Sequence, residues 1–283
     1  MLEQAKLSCF ADEIDTDLQT QIALLNELGI SYVEFRSANH KGVAEYTLAE
    51  AEKVRSILDR NHISVSAVGS PIGKINITDE FEPHYEQFLH VARLAEIFGT
   101  PLIRMFSFYL PQDGHPEAYR DEVLRRLDRM VEYAATKNLV LLHENEKKIY
   151  GDTAASCLDL METFYGANFK ATFDFANFLE CGEDTVKAYE LLKPYIAYIH
   201  VKDADKKTKT ILPAGAGDGQ IPAILKDLDA NGYCGFLSLE PHLTDFAALN
   251  TLEQDAARRG RTDGPDAFRT AYAALKSILD EAR

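Results

Sequence analysis

A single α/β barrel of eight strand-helix units, a (β/α)₈ TIM barrel, is what this chain predicts, on three observations. Short β-like runs alternate with longer helical stretches from end to end, about eight times over. Such alternation demands parallel strands joined by right-handed helical crossovers, and roughly eight repeats favour closure over an open sheet. Second, Glu144, Asp174, His200 and Glu240 each stand at the carboxyl end of a short apolar run, about 30, 26 and 40 residues apart. That spacing is close to the ~30 residues of one strand-helix unit. Third, no Gly-x-Gly-x-x-Gly follows the first strand, so the doubly wound sheet, the competing architecture, lacks its main signal. A length of 283 residues suits one barrel, and no linker or charge block divides it, so one domain over 1–283 is expected.

Each element follows from local pattern. Leu7-Ser8-Cys9-Phe10 opens the first strand, and Asp17 to Leu28 carries a helical stripe at Leu18, Ile22, Leu25 and Leu28, stopped by Gly29. Ile30 to Phe35 is the second strand, Leu48 to Leu58 the next helix, and Ile63 to Val68 alternates as the third strand. A helix is expected over Glu82 to Phe98, a strand over Pro101 to Phe106, and one long helix over Pro116 to Thr136. Strands five to eight are Leu139–Leu142, Phe169–Phe173, Ile196–Ile199 and Phe236–Leu239. The helices between them fall near Thr153–Phe164, Asp184–Leu192 and Ile221–Leu228, and Pro265 marks the first turn of a last helix running to Leu279.

Composition narrows the function. An apolar fraction of 46% supplies a large core and excludes disorder. A net charge of −15 argues against nucleic acid or an anionic membrane as partner. Cys9, Cys157, Cys181 and Cys234 are scattered, with no Cys-x-x-Cys pair, and are expected to be reduced and mostly buried. No signal peptide and no apolar run of ~18 residues is visible, so a cytoplasmic enzyme is expected, with a small-molecule partner and the oligomeric state open, a homo-oligomer included.

The chemistry sits at the strand ends. Residues there converge on one mouth of a barrel. Three carboxylates meeting without a counter-charge would repel, and a divalent cation resolves that, with an imidazole completing its shell. One such residue alone reads more readily as a salt-bridge or core group; four in register on consecutive strands read as a metal site. Three oxygens and one nitrogen form a hard set that favours Mn²⁺ or Mg²⁺, with Co²⁺ or Zn²⁺ as alternatives. Period two then brings Glu146, Lys202 and His242 to the same mouth, while His143 faces the helices as a structural residue.

The segments His143-Glu144-Asn145-Glu146, Phe173-Asp174-Phe175-Ala176-Asn177-Phe178, His200-Val201-Lys202-Asp203-Ala204 and Leu239-Glu240-Pro241-His242 resemble the strand-five to strand-eight signatures of the xylose-isomerase-like sugar phosphate isomerase/epimerase superfamily. Gly215-Ala216-Gly217-Asp218-Gly219-Gln220-Ile221 and Gly232-Tyr233-Cys234-Gly235-Phe236 resemble its strand-seven loop and its entry into strand eight. The resemblance implies Glu144, Asp174, His200 and Glu240 as metal ligands, with Glu144 and Glu240 also exchanging the substrate proton. It implies a sugar or sugar phosphate isomerase or epimerase acting through an enediolate. One departure is plain: the ketose 3-epimerases carry histidine where this chain has Asn177, and asparagine cannot carry a proton.

Other residues are candidates for substrate contact. Arg104 ends a strand at the same mouth and either holds a substrate oxygen or anion, or pairs with an acidic neighbour. Glu34 and Arg36 either pair with each other or with neighbours. Lys74 could meet an anionic substrate; Glu146, Asn177, Lys202 and His242 lie beside the proposed ligands. Gly215, Gly217 and Gly219 either cradle a phosphate or form a flexible turn. The rival readings are a metal-dependent dehydratase of an inosose or keto-sugar, an AP-endonuclease-like phosphodiesterase, and a non-catalytic sugar-binding barrel.

Overall fold

A computed structural model describes residue 2 and residues 4–112, 115–244 and 264–281. The strands of its main sheet are β1 (Lys6–Cys9), β2 (Tyr32–Phe35), β3 (Ser64–Gly69), β4 (Leu102–Met105), β5 (Val140–Glu144), β6 (Phe169–Asp174), β7 (Ile196–Val201) and β8 (Phe236–Leu239). All pair in parallel in the order β1-β8-β7-β6-β5-β4-β3-β2. β1 and β2 also pack against each other, so the sheet curls into a nearly closed barrel, as the alternation predicts.

The surrounding helices are α1 (Leu18–Leu28), α2 (Leu48–Arg60), α3 (Phe81–Phe98), α4 (Arg120–Thr136), α5 (Ala154–Phe164), α6 (Phe175–Glu180), α7 (Thr185–Leu192), α8 (Ile221–Ala230) and α9 (Gly264–Glu281). Their starts are set by side-chain caps: Asp17 accepts from the Thr20 amide, Thr47 from Glu50, Thr153 from Ser156 and Asp184 from Lys187. Gly29 ends α1 at φ +69°, a left-handed position that glycine fills without strain.

Two elements depart from the expectation. The helix expected over Pro116 to Thr136 is split, because Pro116 opens a 3-10 turn (Pro116–Ala118) and α4 begins only at Arg120. Helix α6 is additional: it follows β6 at once, and Asp174 caps it by accepting from the Asn177 amide at 2.7 Å. The cysteines are free, but only Cys9 and Cys157 are buried; Cys181 is half-buried and Cys234 exposed.

Beneath the mouth, the barrel interior carries a hydroxyl layer. Ser66 Oγ lies 2.6 Å from Ser8 Oγ and 2.8 Å from Tyr198 Oη. Those polar atoms satisfy one another at a depth where an unpaired hydroxyl would be costly. His143 points outward to Ser107, 2.9 Å from its Oγ, and stacks on Phe169, in the structural role expected of it.

The glycine loop after β7 has its anion already. The amides of Gly215, Gly217 and Gly219 donate to the Asp203 carboxylate at 2.9, 3.1 and 2.9 Å. A Cβ at Gly217 would stand 2.4 Å from Asp203 Oδ1, so close approach is what glycine serves there. The alternative of a phosphate cradle is thereby replaced: the loop's donors are spent on the chain's own carboxylate.

Buried histidines make stability pH-dependent. His84 Nε2 accepts from the Gly73 amide at 2.8 Å and so holds the loop that carries Lys74. Burial lowers both His84 and His143 to about 4. Unfolded, each titrates near ~6.5, so the unfolded chain binds the extra protons between those values. Their contribution to stability is therefore intact above pH ~6.5 and falls as pH drops towards 4, by up to about 3 kcal/mol per residue. Urea midpoints measured from pH 7.5 to 4.5 should show this, with a shallower slope in His84→Gln. An equal slope in that variant would remove His84 from the account.

Candidate metal centre

β5 to β8 bring residues at or next to their carboxyl ends to one mouth. Asp174 and His200 are ladder partners, and the Glu240 amide donates to the Val201 carbonyl at 3.2 Å just past β8. The inward faces that period two requires thus bring four side chains together. One donor atom from each of Glu144, Asp174, His200 and Glu240 lies within 4.8 Å of the others, and all four residues are buried. His200 Nδ1 stands 3.1 Å from Glu144 Oε1, 3.4 Å from Glu240 Oε2 and 4.0 Å from Asp174 Oδ2.

The donor set fits a divalent cation. Asp174 Oδ2, His200 Nδ1 and Glu240 Oε2 are buried and lack a hydrogen-bond partner among the described residues. Buried polar atoms left so are costly unless something else binds them. Their partners on the far side are in place. His200 Nε2 lies 3.0 Å from Glu34 Oε2, a carboxylate-imidazole arrangement that fixes the ring and turns Nδ1 to the centre. Asp174 Oδ1 is held by the Asn177 amide, which turns Oδ2 inward. Asn145 exchanges two 2.9 Å hydrogen bonds with the Asp174 backbone, its own Nδ2 donating to the carbonyl and its Oδ1 accepting from the amide.

Electrostatics around the cluster are strong. Burial alone would raise Glu144, but His200 and Arg104 bring it down to about 2. Burial raises Asp174 to about 7, against the pull of Lys202 and with the push of Glu240 and Glu144. Burial also opposes ionisation of Glu240, yet Lys202 and His242 hold it well below the usual carboxylate range. These shifts describe buried carboxylates whose charge is answered by nearby imidazole, ammonium and guanidinium groups.

The candidate substrate residues are brought to the same place, most of them already paired. Arg104 Nε lies 3.2 Å from Glu144 Oε2 and 3.6 Å from Glu34 Oε1, so the geometry favours the acidic-neighbour alternative for it. Lys202 Nζ approaches Asp174 Oδ2 to 3.1 Å and Glu240 Oε2 to 3.5 Å. Lys74, expected on a loop, lies over the Phe106 ring and 3.0 Å from Glu146 Oε2. Asn177 Nδ2 donates to Glu144 Oε1 at 3.2 Å. His242 Nε2 sits 3.2 Å from Glu240 Oε1. Above the cluster, Phe106, Glu146, Lys202, His242 and their neighbours line a narrow pocket.

Glu34 and Arg36 do not pair with each other. Glu34 backs His200, and Arg36 bridges Asp12, Glu13 and Glu240 at 2.8, 3.2 and 2.8 Å. Asp12 and Glu13 are site residues that the strand-end pattern passed over. They lie in the 3-10 turn Ala11–Glu13, past the end of β1 at Cys9 and beyond the strand-end position that the pattern reads.

Comparison with known proteins agrees with this architecture. A 3-dehydroshikimate dehydratase of Bacillus anthracis is 30% identical over 129 residues, which is 46% of this chain and 46% of that protein. The match thus spans about half of that relative's length. The crystal structure of an L-ribulose 3-epimerase superposes with TM-score 0.75 at 17% identity, covering 98% of this chain and 97% of that one. A crystal structure of the IOLI protein with a bound zinc atom gives TM-score 0.75 at 14% identity, covering 98% of both chains. The model of the xylose isomerase-like TIM barrel family matches residues 22–282, and with the eight parallel strands and the mouth described above, this chain belongs to that family.

Proposed function

We propose that the chain is a divalent-metal-dependent enzyme that moves a proton on the carbon beside the carbonyl of a sugar-like hydroxyketone, as an isomerase or epimerase. The observation that carries this reading is the convergence of Glu144, Asp174, His200 and Glu240 with three donor atoms left without hydrogen bonds. An ion bound there, Mn²⁺ or Mg²⁺ by the hardness of the set and Zn²⁺ or Co²⁺ as alternatives, would stabilise negative charge on the substrate's carbonyl oxygen.

The rest falls to the chain's own groups. Glu144 and Glu240 enter from β5 and from beyond β8, with β6 and β7 between them around the barrel, so their carboxylates flank the space above the cluster. One removes the α-proton; return by the other to the opposite face gives the epimer, and return to the neighbouring carbon gives the isomer. Lys202 and His242 offer donors to substrate oxygens. Asn177 steadies Glu144 but cannot relay a proton, which separates this site from the histidine-bearing ketose 3-epimerases.

The charge pattern supports a substrate without phosphate. Each cationic side chain lining the cavity among the described residues faces a carboxylate: Arg36 with Glu240, Arg104 with Glu144, Lys202 with Asp174, Lys74 with Glu146. The glycine-loop amides are taken by Asp203. A dianion would have to break these pairs, whereas hydroxyl groups can join them.

A second reading is dehydration, in which the same proton removal expels a β-hydroxyl. Two observations favour it. Burial disfavours charge on His242, but Glu13 raises its pKa, so an imidazole more basic than usual stands beside Glu240, placed to serve as an acid for the leaving oxygen. The relative at 30% identity is also a dehydratase. Incubation in D₂O with a panel of keto-sugars and cyclic keto-polyols tests the proposal. Deuterium at carbon in a product of otherwise unchanged mass supports the isomerase or epimerase; a product lighter by one water supports the lyase. An isomeric product with no deuterium at any carbon would refute the transfer of the α-proton by these two carboxylates.

A further inference from the structure

We infer that Arg36 keeps this centre mononuclear, its guanidinium occupying the position that a second cation would take between Glu13, Glu240 and His242. The inference rests on the metal reading given above and concerns a different group of atoms. Glu13, Glu240 and His242 form a second buried set whose donor atoms lie within 4.8 Å of one another. Glu240 belongs to both sets, and it divides its two oxygens between them. Oε2 faces the first cluster, 3.4 Å from His200 Nδ1. Oε1 faces the second, 3.2 Å from His242 Nε2. A carboxylate shared in this way is the geometry of a bridging ligand between two neighbouring cations.

The second position holds a protein cation instead. Arg36 donates from Nη1 to Glu240 Oε1 at 2.8 Å and from Nη2 to Glu13 Oε1 at 3.2 Å. Asp12 grips the same guanidinium at 2.8 and 3.0 Å, and the Phe10 ring lies 4.1 Å beneath its Cζ. Planar fork geometry, three carboxylates and a ring face fix the group in place. Arg36 is 5% exposed, so its charge is poorly screened. A divalent ion entering between Glu13 and Glu240 would have to displace it or sit against it. Arg36 is thus a positioning residue: it ties up Oε1 and leaves Oε2 of Glu240 as the one oxygen turned to the first cluster.

Metal stoichiometry and spectroscopy test this without recourse to activity. Wild-type protein, Arg36→Ala, Arg36→Gln and Arg36→Lys are stripped, dialysed against Mn²⁺ up to millimolar concentration, and analysed for metal per chain and by electron paramagnetic resonance. Wild type and Arg36→Lys, which keeps a cation in place, should bind one ion with the spectrum of an isolated centre. The two neutral variants should bind two, with the exchange-coupled spectrum of a pair, and Glu13→Gln in either background should return the count to one. A neutral, folded variant that still binds one ion overturns the inference and leaves the metal reading intact. Two ions in the wild type also overturn it. No ion in the wild type refutes the metal reading itself, and the inference with it.

Discussion

Exhaustive chelation is expected to abolish turnover and to leave the barrel folded. Without the ion, the negative charge of Glu144, Asp174 and Glu240 is met by Lys202, Arg104 and Arg36, all within 3.5 Å of one of them. The cluster therefore does not depend on the ion to keep the fold, whose core is the barrel interior and its helical coat. Catalysis by the proposed route should depend on it, because among the described residues each side-chain cation lining the pocket faces a carboxylate. Activity should fall by at least ~10³ and return when Mn²⁺ is restored. The ion should also raise thermal stability, since it binds only the folded state. At about 100 times its Kd this is worth about 2.7 kcal/mol, or roughly 5 °C for a chain of this size. Full turnover in protein shown to be metal-free would end the proposal.

Glu144→Gln and Glu240→Gln should each lower kcat by at least ~10², because in the proposed mechanism each removes a base from beside the reacting carbon. The surroundings say how each amide will sit. Glu144 Oε1 accepts from Asn177 and Oε2 faces Arg104, so an NH₂ at either position meets a donor. Glu240 Oε1 faces Arg36, which turns the new NH₂ of a glutamine towards the cluster. Both substitutions therefore weaken metal binding as well, and metal content must be measured with the rates. Near-wild-type kcat at full metal occupancy would remove that residue from proton transfer.

The part of the site on β5 to β8 was legible in the sequence because period two does not depend on partners. An apolar strand that ends in Glu, Asp or His states which face is inward and where the mouth lies. What could not be read was pairing. Glu34 and Arg36 are visible on the second strand, but their partners His200 and Glu240 lie 166 and 204 residues away, and no local rule selects them. The three glycines after β7 carried a signal for close backbone approach, yet not the identity of the anion, which proved to be Asp203 twelve to sixteen residues earlier. Helix α6 was missed for a simpler reason: six residues are too few for a helical period to stand out. Its cap, Asp174, has the strand-end position of a ligand, and in the structure it faces both ways, Oδ1 to the helix and Oδ2 to the cluster.

The central claim is that these four side chains hold one divalent ion, and anomalous diffraction from a crystal soaked in Mn²⁺ tests it most directly. The predicted result is a single strong peak among Glu144, Asp174, His200 and Glu240, with contacts of ~2.0–2.3 Å to an atom of each. A peak held by other residues, or the four side chains found more than ~6 Å apart around an empty mouth, would contradict it.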